Sequence, residues 1–157
     1  MLVQFQEYLT LENIYLFTNF FVLPFWFMII IIPNSRIAQI LINSIIIPLI
    51  LSSAYIYVIY QIIILDESSV NIFSLYLDLD SLYTIFSIEG FLLVFWIHFV
   101  ALNLFLGSWV ARDAFKYNIP RGIAVIPLIL IYFAGPVGLV LYWLIRVFYA
   151  KRLGFHD

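Results

Sequence analysis

Cysteine is missing from the sequence, and charged residues are scarce. The 157 residues include no Cys, 7 Lys and Arg, and 9 Asp and Glu, with a net charge of −2. Without cysteine the chain has no disulfide, no thiolate zinc site, no iron–sulfur ligation and no cysteine nucleophile. No block of basic residues supplies the electrostatic attraction on which nucleic-acid binding depends. We therefore expect no nucleic-acid partner.

The motifs of soluble enzymes are absent as well. The sequence has no phosphate-binding loop, no paired-glycine dinucleotide turn, no His-Glu-x-x-His and no Gly-x-Ser-x-Gly elbow. A metal site is not expected, because His98 and Asp113 are about 22 Å apart along one predicted helix. No cofactor is identified, and we expect any chemistry to take place inside a membrane.

Apolar residues dominate what remains. They form 66% of the chain, with a mean hydropathy of +1.12, which is more than the core of a small soluble protein can bury. Four stretches without charged residues each have the roughly 20 residues that a helix needs to cross a bilayer. We therefore predict an all-α integral membrane protein, a single membrane domain covering residues 1–157 with a small bundle of four transmembrane helices. The predicted spans are residues 13–34, 38–64, 86–110 and 122–146.

A short amphipathic segment is predicted before the third span. Apolar residues recur at helical spacing between Ile72 and Phe86, with Ser74, Asp78 and Asp80 among the polar residues between them. This pattern is typical of a helix that lies on the membrane surface. The alternative is a helix that extends the third span into water, and the pattern does not distinguish the two.

The last predicted span contains the sequence Gly135-Pro136-x-Gly138. Proline removes a backbone hydrogen bond and glycine relaxes the backbone, so we expect this helix to be kinked. Basic residues tend to collect on one side of a membrane. Four full spans divide them into Arg36, Arg112, Lys116 and Arg121 on one side and Arg146, Lys151 and Arg152 on the other. A re-entrant hairpin at Gly135 would place all seven on one side; four spans remain our prediction, with the hairpin as the alternative.

A longer pattern begins in the third span. It runs from Trp96 to Trp109 as WIHFVALNLFLGSW, continues as Ala111-Arg112-Asp113 and Ile119-Pro120, and ends with Pro127, Phe133-x-Gly135-Pro136-x-Gly138-Leu139 and Tyr142. This pattern, within residues 88–150, resembles the abscisic acid-deficient four-like family of membrane proteins. The plant members act in plastids in the synthesis of neoxanthin, and relatives occur in bacteria. The resemblance implies a plastid or bacterial membrane and a carotenoid as ligand or substrate.

The resemblance also implies a reaction, an isomerisation like that from violaxanthin to neoxanthin, in which an epoxide opens to an allene. Such a reaction needs an acid at the epoxide oxygen and a base at a neighbouring C–H group. Glu89, His98 and Asp113 are the proton-active candidates near the motif, and three candidates for two roles leave the assignment open. Each residue also has a simpler explanation. Glu89 can reach the membrane interface, His98 can donate or accept a hydrogen bond in helix packing, and Asp113 can pair with a nearby charge.

Other candidates lie along the last two predicted spans. The candidate substrate or partner contacts are Trp96, Asn103, Gly107, Trp109 and Arg112, and the candidate structural residues are Pro120, Pro127, Gly135, Pro136, Gly138 and Tyr142. Asn103 departs from the family, which usually has an acidic residue at this position, and an amide cannot exchange a proton as a carboxylate does. Asn103 and Gly107 also suit close helix contact.

The polar residues of the third span occupy two faces. At 100° per residue, Glu89, Trp96, Asn103 and Gly107 share one face, and His98, Trp109 and Arg112 share the opposite face. A single groove on a straight helix therefore cannot hold them all. We expect a neighbouring helix to complete each face, or a bend to join them.

Two functional hypotheses follow. In the first, the protein binds a xanthophyll and assists an epoxide-to-allene isomerisation, so it would be an intramolecular isomerase of carotenoid biosynthesis. In the second, it is a non-catalytic subunit that holds pigment, lipid or partner helices against a larger membrane complex, such as a photosynthetic one. The sparse proton-active residues favour the second hypothesis, and the family resemblance favours the first.

Overall fold

The described part of the chain is helical. The computed structural model describes residues 9–33, 35–42, 46–62 and 72–151, and no strand occurs in these ranges. The helices in these ranges are α1 (Leu11–Ile31), α2 (Arg36–Leu41), α3 (Ile46–Tyr60), α4 (Leu79–Phe86), α5 (Glu89–Lys116) and α6 (Arg121–Ala150), with a 3₁₀ turn at Ile72–Tyr76. The prediction of an all-α protein is confirmed.

Three of the described helices are long and apolar enough to cross a membrane: α1 with 21 residues, α5 with 28 and α6 with 30. The chain is therefore a membrane protein. The predicted second span contains α3, whose 15 residues extend about 22 Å, less than the roughly 30 Å of the hydrocarbon. Residues 43–45, 63 and 64 of that span lie outside the described residues. A fourth crossing is not confirmed.

The amphipathic segment forms a helix of its own. α4 ends at Phe86 and α5 begins at Glu89, so α4 is not an extension of the third span. Asp78 caps α4, because its Oδ1 accepts a hydrogen bond of 2.6 Å from the backbone N–H of Ser81. The same bond lowers the pKa of the Asp78 carboxyl below its ordinary value.

The described residues form two compact units. The first contains residues 9–21, 48–62 and 72–101. Its core joins α1, α3 and α5 through Ile14, Val58, Ile62, Leu93, Val94 and Ile97. Gly90 allows α5 to approach α3 closely, since a Cβ there would lie 2.8 Å from the Ile62 side chain. This close approach places the next two turns of α5 beside α3.

The second unit contains residues 22–33, 35–42, 46–47 and 102–151. Trp26 of α1 packs against α5 where Gly107 leaves room, because a Cβ on Gly107 would lie 2.6 Å from the indole ring. Trp26 is 4% exposed, so a large aromatic side chain is buried at this contact. The expected role of Gly107 in close helix contact is supported by this packing.

Helix α6 folds back on itself. Its backbone leaves the helical region at Ala134, where φ is −148° and ψ is 64°. A Cβ on Gly138 would lie 2.6 Å from the carbonyl oxygen of Pro127 and would also overlap the backbone nitrogen of Ile131. In a straight helix, residues 127 and 138 would be about 16 Å apart. The two arms of α6, residues 121–133 and 135–150, therefore lie side by side as a hairpin.

Contacts with α5 give the direction of each arm. Along the second arm, Tyr142 contacts Trp109 and Arg146 contacts Tyr117, so the second arm runs parallel to α5. The first arm runs antiparallel to α5, since it starts shortly after the end of α5 and leads back to the turn, where Gly135 contacts Asn103 in the middle of α5. Residue 103 lies midway between Glu89 and Lys116, about 20 Å from either end of α5.

The hairpin bears on the predicted last span. The kink expected at Gly135-Pro136 is confirmed, and arms that lie side by side are the geometry of the re-entrant alternative, whose place in the membrane stays a prediction. Pro136 has no N–H to continue the helical ladder, and Gly138 has no Cβ to hold the arms apart. The described Lys and Arg residues all belong to the second unit, and the first unit has none among its described residues.

Candidate functional site

Asp113 forms a buried ion pair in the second unit. Its Oδ2 accepts hydrogen bonds of 2.6 Å from the Tyr142 hydroxyl and 2.6 Å from Nε of Arg146. The side chains of Arg146 and Asp113 are 1% and 10% exposed. Charge-assisted hydrogen bonds of this length are strong when water is excluded. The pair therefore ties the second arm of the hairpin to α5.

Two further aromatic side chains, Tyr117 and Trp109, pack against the residues of this ion pair. A nitrogen of the Arg146 guanidinium donates to the Tyr117 hydroxyl at 3.1 Å, and the guanidinium carbon lies 4.6 Å from the centre of the Tyr117 ring. Trp109 packs edge-on against Tyr142, with 5.9 Å between ring centroids. We call Asp113, Tyr117, Tyr142 and Arg146 the Asp113 cluster. Its geometry supports an anchoring role for Asp113, and its predicted catalytic role stays a prediction.

Tyr117 and Arg146 were not predicted as site residues from the sequence. Both lie four residues from a predicted member of the cluster, Tyr117 after Asp113 and Arg146 after Tyr142. This spacing puts each pair on one helix face. The signal was therefore present, but it becomes meaningful only when the hairpin brings the two pairs together.

Asn103 occupies the tip of the hairpin. Its side chain is 6% exposed, and its Nδ2 finds no acceptor among the residues that the structure describes. A Cβ on Gly135 would overlap Oδ1 of Asn103 and lie 3.2 Å from its Cγ. Glycine is therefore required where the hairpin turns against α5.

An aromatic cavity lies beside the residues that precede the hairpin turn. It has a volume of about 160 Å³, and Trp26, Tyr132 and Phe133 contribute to its walls. Trp26 and Tyr132 pack edge-on with centroids 5.4 Å apart. Tyr132 and Phe133 directly precede the turn at Ala134, so the cavity ends where the hairpin bends.

His98 lies in the first unit and faces a larger cavity. The imidazole is exposed, and its ring centre lies 6.3 Å from that of Tyr55 on α3. The cavity has a volume of about 250 Å³ and is lined by Tyr55, Ile59, Ile62, Leu75, Phe86, Phe91, Val94, Phe95 and His98. We call it the His98 cavity. Its walls are apolar except for the imidazole and the phenol.

Trp96 holds α1 and α5 together within the first unit. Its indole N–H donates to Oδ1 of Asn19 at 3.1 Å. Its ring packs against Tyr15 at 6.1 Å and stacks on Phe99 at 5.5 Å. A Trp N–H that is half-buried in this way has its hydrogen bond satisfied by the neighbouring helix. These contacts support a packing role.

The predicted catalytic residues do not meet in one place. Glu89 is exposed in the first turn of α5, where a carboxylate favours the positive end of the helix. Within the first unit, Glu89 is about 13 Å along α5 from His98, whereas Asp113 belongs to the second unit. Arg112 is exposed in the last part of the same helix. No described group of three His, Asp or Glu side chains can hold a metal ion.

The three prolines of α6 lie at its start, inside its first arm and just after its turn. Pro120 precedes the first turn, with φ of −56°, where a missing N–H has no consequence. Pro127 is buried inside the first arm, under the contact made by Gly138. Pro136 follows the turn. The predicted structural residues thus shape the hairpin.

Comparisons with known proteins identify one family. The model of the family described as ABA DEFICIENT 4-like matches residues 13–142, which covers most of the chain. A comparison with curated proteins found no match. A comparison with solved structures found none either. The match includes α1 from residue 13 onward, α2 to α5, and α6 through the hairpin turn as far as Tyr142.

Proposed function

The chain belongs to the ABA DEFICIENT 4-like family, and from this premise we propose that it binds an epoxy-xanthophyll in a neoxanthin-related step of carotenoid biosynthesis. The observation that supports the proposal is the His98 cavity, which combines an apolar wall with two proton-active side chains. In this cavity an apolar binding surface and an imidazole with a nearby phenol occur together.

The size of the His98 cavity suits one end of such a molecule. A dry cavity of about 150 Å³ holds a benzene ring, so about 250 Å³ holds a six-membered ring with its methyl groups. The polyene is too long for the cavity and would leave it through the open side, into lipid. Phe86 and Phe95, whose rings pack at 4.9 Å, supply aromatic surface for the flat end of the polyene.

His98 and Tyr55 supply the two groups that an epoxide-to-allene isomerisation requires. A base removes the proton from the C–H beside the epoxide, the C–O bond breaks as the allene forms, and the oxygen receives a proton to become a hydroxyl. The reaction is redox-neutral, and one proton is removed as one is added. We assign His98 as the base and the Tyr55 hydroxyl as the acid.

The other two candidates have different tasks in this proposal. Glu89 lies at the start of α5 and does not line the His98 cavity. Asp113 keeps Arg146 neutralised in the second unit, where removal of its charge would leave a buried cation. Neither carboxylate is needed for the proton transfers assigned to His98 and Tyr55.

A non-catalytic role is the second candidate, and exposed apolar side chains favour it. Phe73, Tyr76, Leu77 and Tyr83 are 81%, 86%, 72% and 75% exposed on and beside α4. Side chains of this kind suit the membrane interface or a partner helix. In this alternative, the same cavity holds a pigment without converting it, as part of a larger membrane complex.

Pigment extraction and turnover separate these candidates. The protein is purified in mild detergent, its absorption spectrum is recorded, and a supplied epoxy-xanthophyll is assayed for the allenic product. We expect bound pigment and turnover, both reduced in His98→Ala, with turnover alone lost in Tyr55→Phe.

Glu89→Gln is the matched control, since it removes a carboxylate of the same helix that lies outside the cavity; it should keep full turnover. Pigment binding without turnover would support the non-catalytic candidate. Failure to bind any xanthophyll, in detergent and in lipid, would refute the carotenoid assignment for both.

A further inference from the structure

Asn103 presents an unused hydrogen-bond donor inside the second unit. The side chain is more than nine-tenths buried, and its Nδ2 has no acceptor among the described residues. A buried donor without a partner costs about 1–3 kcal/mol, so native proteins rarely retain one without a ligand, an ion or a water to satisfy it. The position lies midway along α5, about 20 Å from its ends.

A helix N-terminus lies at the same position. The second arm of the hairpin begins at Gly135, next to the Asn103 side chain. Because Ala134 interrupts the helix, the first N–H groups of this arm lack carbonyl partners from their own arm, and the end carries a partial positive charge. Broken helices near the middle of a membrane present their N-termini to ligand oxygens in the same way.

We propose that the hairpin tip binds a neutral oxygen atom of an apolar, ring-bearing molecule, with the Asn103 amide as its donor. The oxygen is neutral, because a charged group at this depth would be costly and no cation of the second unit lies within about 10 Å of Asn103 along α5. A hydroxyl, carbonyl or epoxide oxygen meets the requirement.

The aromatic cavity beside the turn accommodates the apolar part of this molecule. Its volume of about 160 Å³ matches a single six-membered ring. Two of its wall residues lie close to the tip along the chain or by contact: Phe133 is two residues before Gly135, and Trp26 rests on Gly107, one turn of α5 beyond Asn103. An oxygenated end ring of a xanthophyll belongs to this class, so the inference rests on the proposed function while using a different set of residues from the His98 cavity.

A pair of pigments tests the donor. Zeaxanthin carries a hydroxyl on each end ring, and β-carotene has the same carbon skeleton without oxygen. Each is added to the full-length protein in lipid nanodiscs, and the retained pigment is measured by absorbance. Asn103→Leu should reduce the preference for zeaxanthin about tenfold, the effect of one buried hydrogen bond. Asn103→Gln, which keeps an amide donor on a longer side chain, should restore part of it.

A control variant excludes a general effect of buried polarity. Thr18→Val removes a buried hydroxyl that bonds only within its own helix, to the carbonyl of Ile14 at 2.8 Å. It should leave the pigment preference unchanged. An unchanged preference in Asn103→Leu would overturn the inference, whereas loss of both pigments from the unaltered protein would overturn the proposed function.

Thermal unfolding tests the Asn103 donor even if the unaltered protein retains neither pigment. If an acceptor from a bound molecule pairs with the amide, Asn103→Leu lowers the Tm of protein purified from native membranes by about 2–6 °C. After that molecule is stripped by detergent exchange, the same substitution should raise Tm, since it then removes an unpaired donor. A raised Tm in both preparations means that no acceptor is present, and a lowered Tm in both indicates a retained water; either result overturns the inference.

Discussion

The two ends of α6 are predicted to lie on the same side of the membrane. The chain has no cysteine, so one introduced cysteine is its only thiol. Gly122→Cys and Tyr149→Cys place a thiol near either end of α6. A side chain at Gly122 meets nothing within 4 Å, and Tyr149 is 41% exposed, so neither substitution disturbs the packing.

The separation of these two positions distinguishes a hairpin from a crossing helix. In a straight α6, positions 122 and 149 would be about 40 Å apart along the axis, more than the roughly 30 Å of hydrocarbon. In the hairpin, arms of 13 and 16 residues extend only about 20 and 24 Å, and the tip stops at Asn103 in the middle of α5. Both thiols then face the same compartment.

A membrane-impermeant maleimide provides the assay. In sealed right-side-out vesicles, both variants should remain unlabelled and should react only after permeabilisation. The hairpin places the basic residues near its two ends, Arg121, Arg146 and Lys151, on one side, and basic residues favour the cytoplasmic side or its organelle equivalent. If one thiol reacts in sealed vesicles and the other does not, α6 crosses the membrane and the hairpin is wrong. If both react in sealed vesicles, the hairpin stands and the orientation argument fails.

Three further predictions concern stability. Asp113→Asn leaves Arg146, which is 1% exposed, without its counter-charge, and should lower the unfolding free energy by about 3–5 kcal/mol in detergent melts. Gly138→Ala places a methyl group against the backbone of the first arm and should cost about 1–3 kcal/mol, whereas Gly122→Ala, with open space around it, should cost nothing. The pKa of Asp78 is lowered, so this carboxylate stabilises α4 fully above the ordinary Asp pKa of about 4, and the stabilisation is lost as the pH falls through the lowered pKa. Amide protection factors in α4 should decline over that pH range. In Asp78→Asn they should not depend on pH in this range.

Much of the fold could be predicted from hydrophobic length and local backbone chemistry. Uninterrupted apolar stretches locate α1, α5 and α6, because only a helix satisfies its own backbone in lipid. Gly135 and Pro136 locate the kink, because their effects on the backbone are local. The extent of the bend could not be predicted, since the same residues are compatible with a modest kink and with a hairpin. The count of basic residues favoured the hairpin, but the length of the apolar stretch favoured a crossing.

The candidate sites were harder to predict because their partners are distant in sequence. Tyr55 and His98 are 43 residues apart on α3 and α5, and no periodicity links a phenol on one helix to an imidazole on another. Asp113 and Arg146 are 33 residues apart and meet only because α6 turns back. The separation of His98 and Asp113 along one helix could be predicted, because the rise of a helix fixes such distances.

The two ends of the hairpin differ in chemistry for a physical reason. Asp113 lies three residues before the end of α5, about 5 Å along the axis, where a charged pair is near the interface and costs least to bury. Asn103 lies about 20 Å from that end, where a charge would be far more costly, and there the chain has an amide and two glycines, Gly135 and Gly138. The charged pair anchors the base of the hairpin, and the tip is neutral and narrow. The tip can therefore bind an uncharged oxygen near the middle of α5 while the base stays attached to α5. The Asp113 cluster is therefore expected to hold the hairpin whether or not the tip is occupied, so Asn103→Leu should leave the maleimide pattern of Gly122→Cys and Tyr149→Cys unchanged.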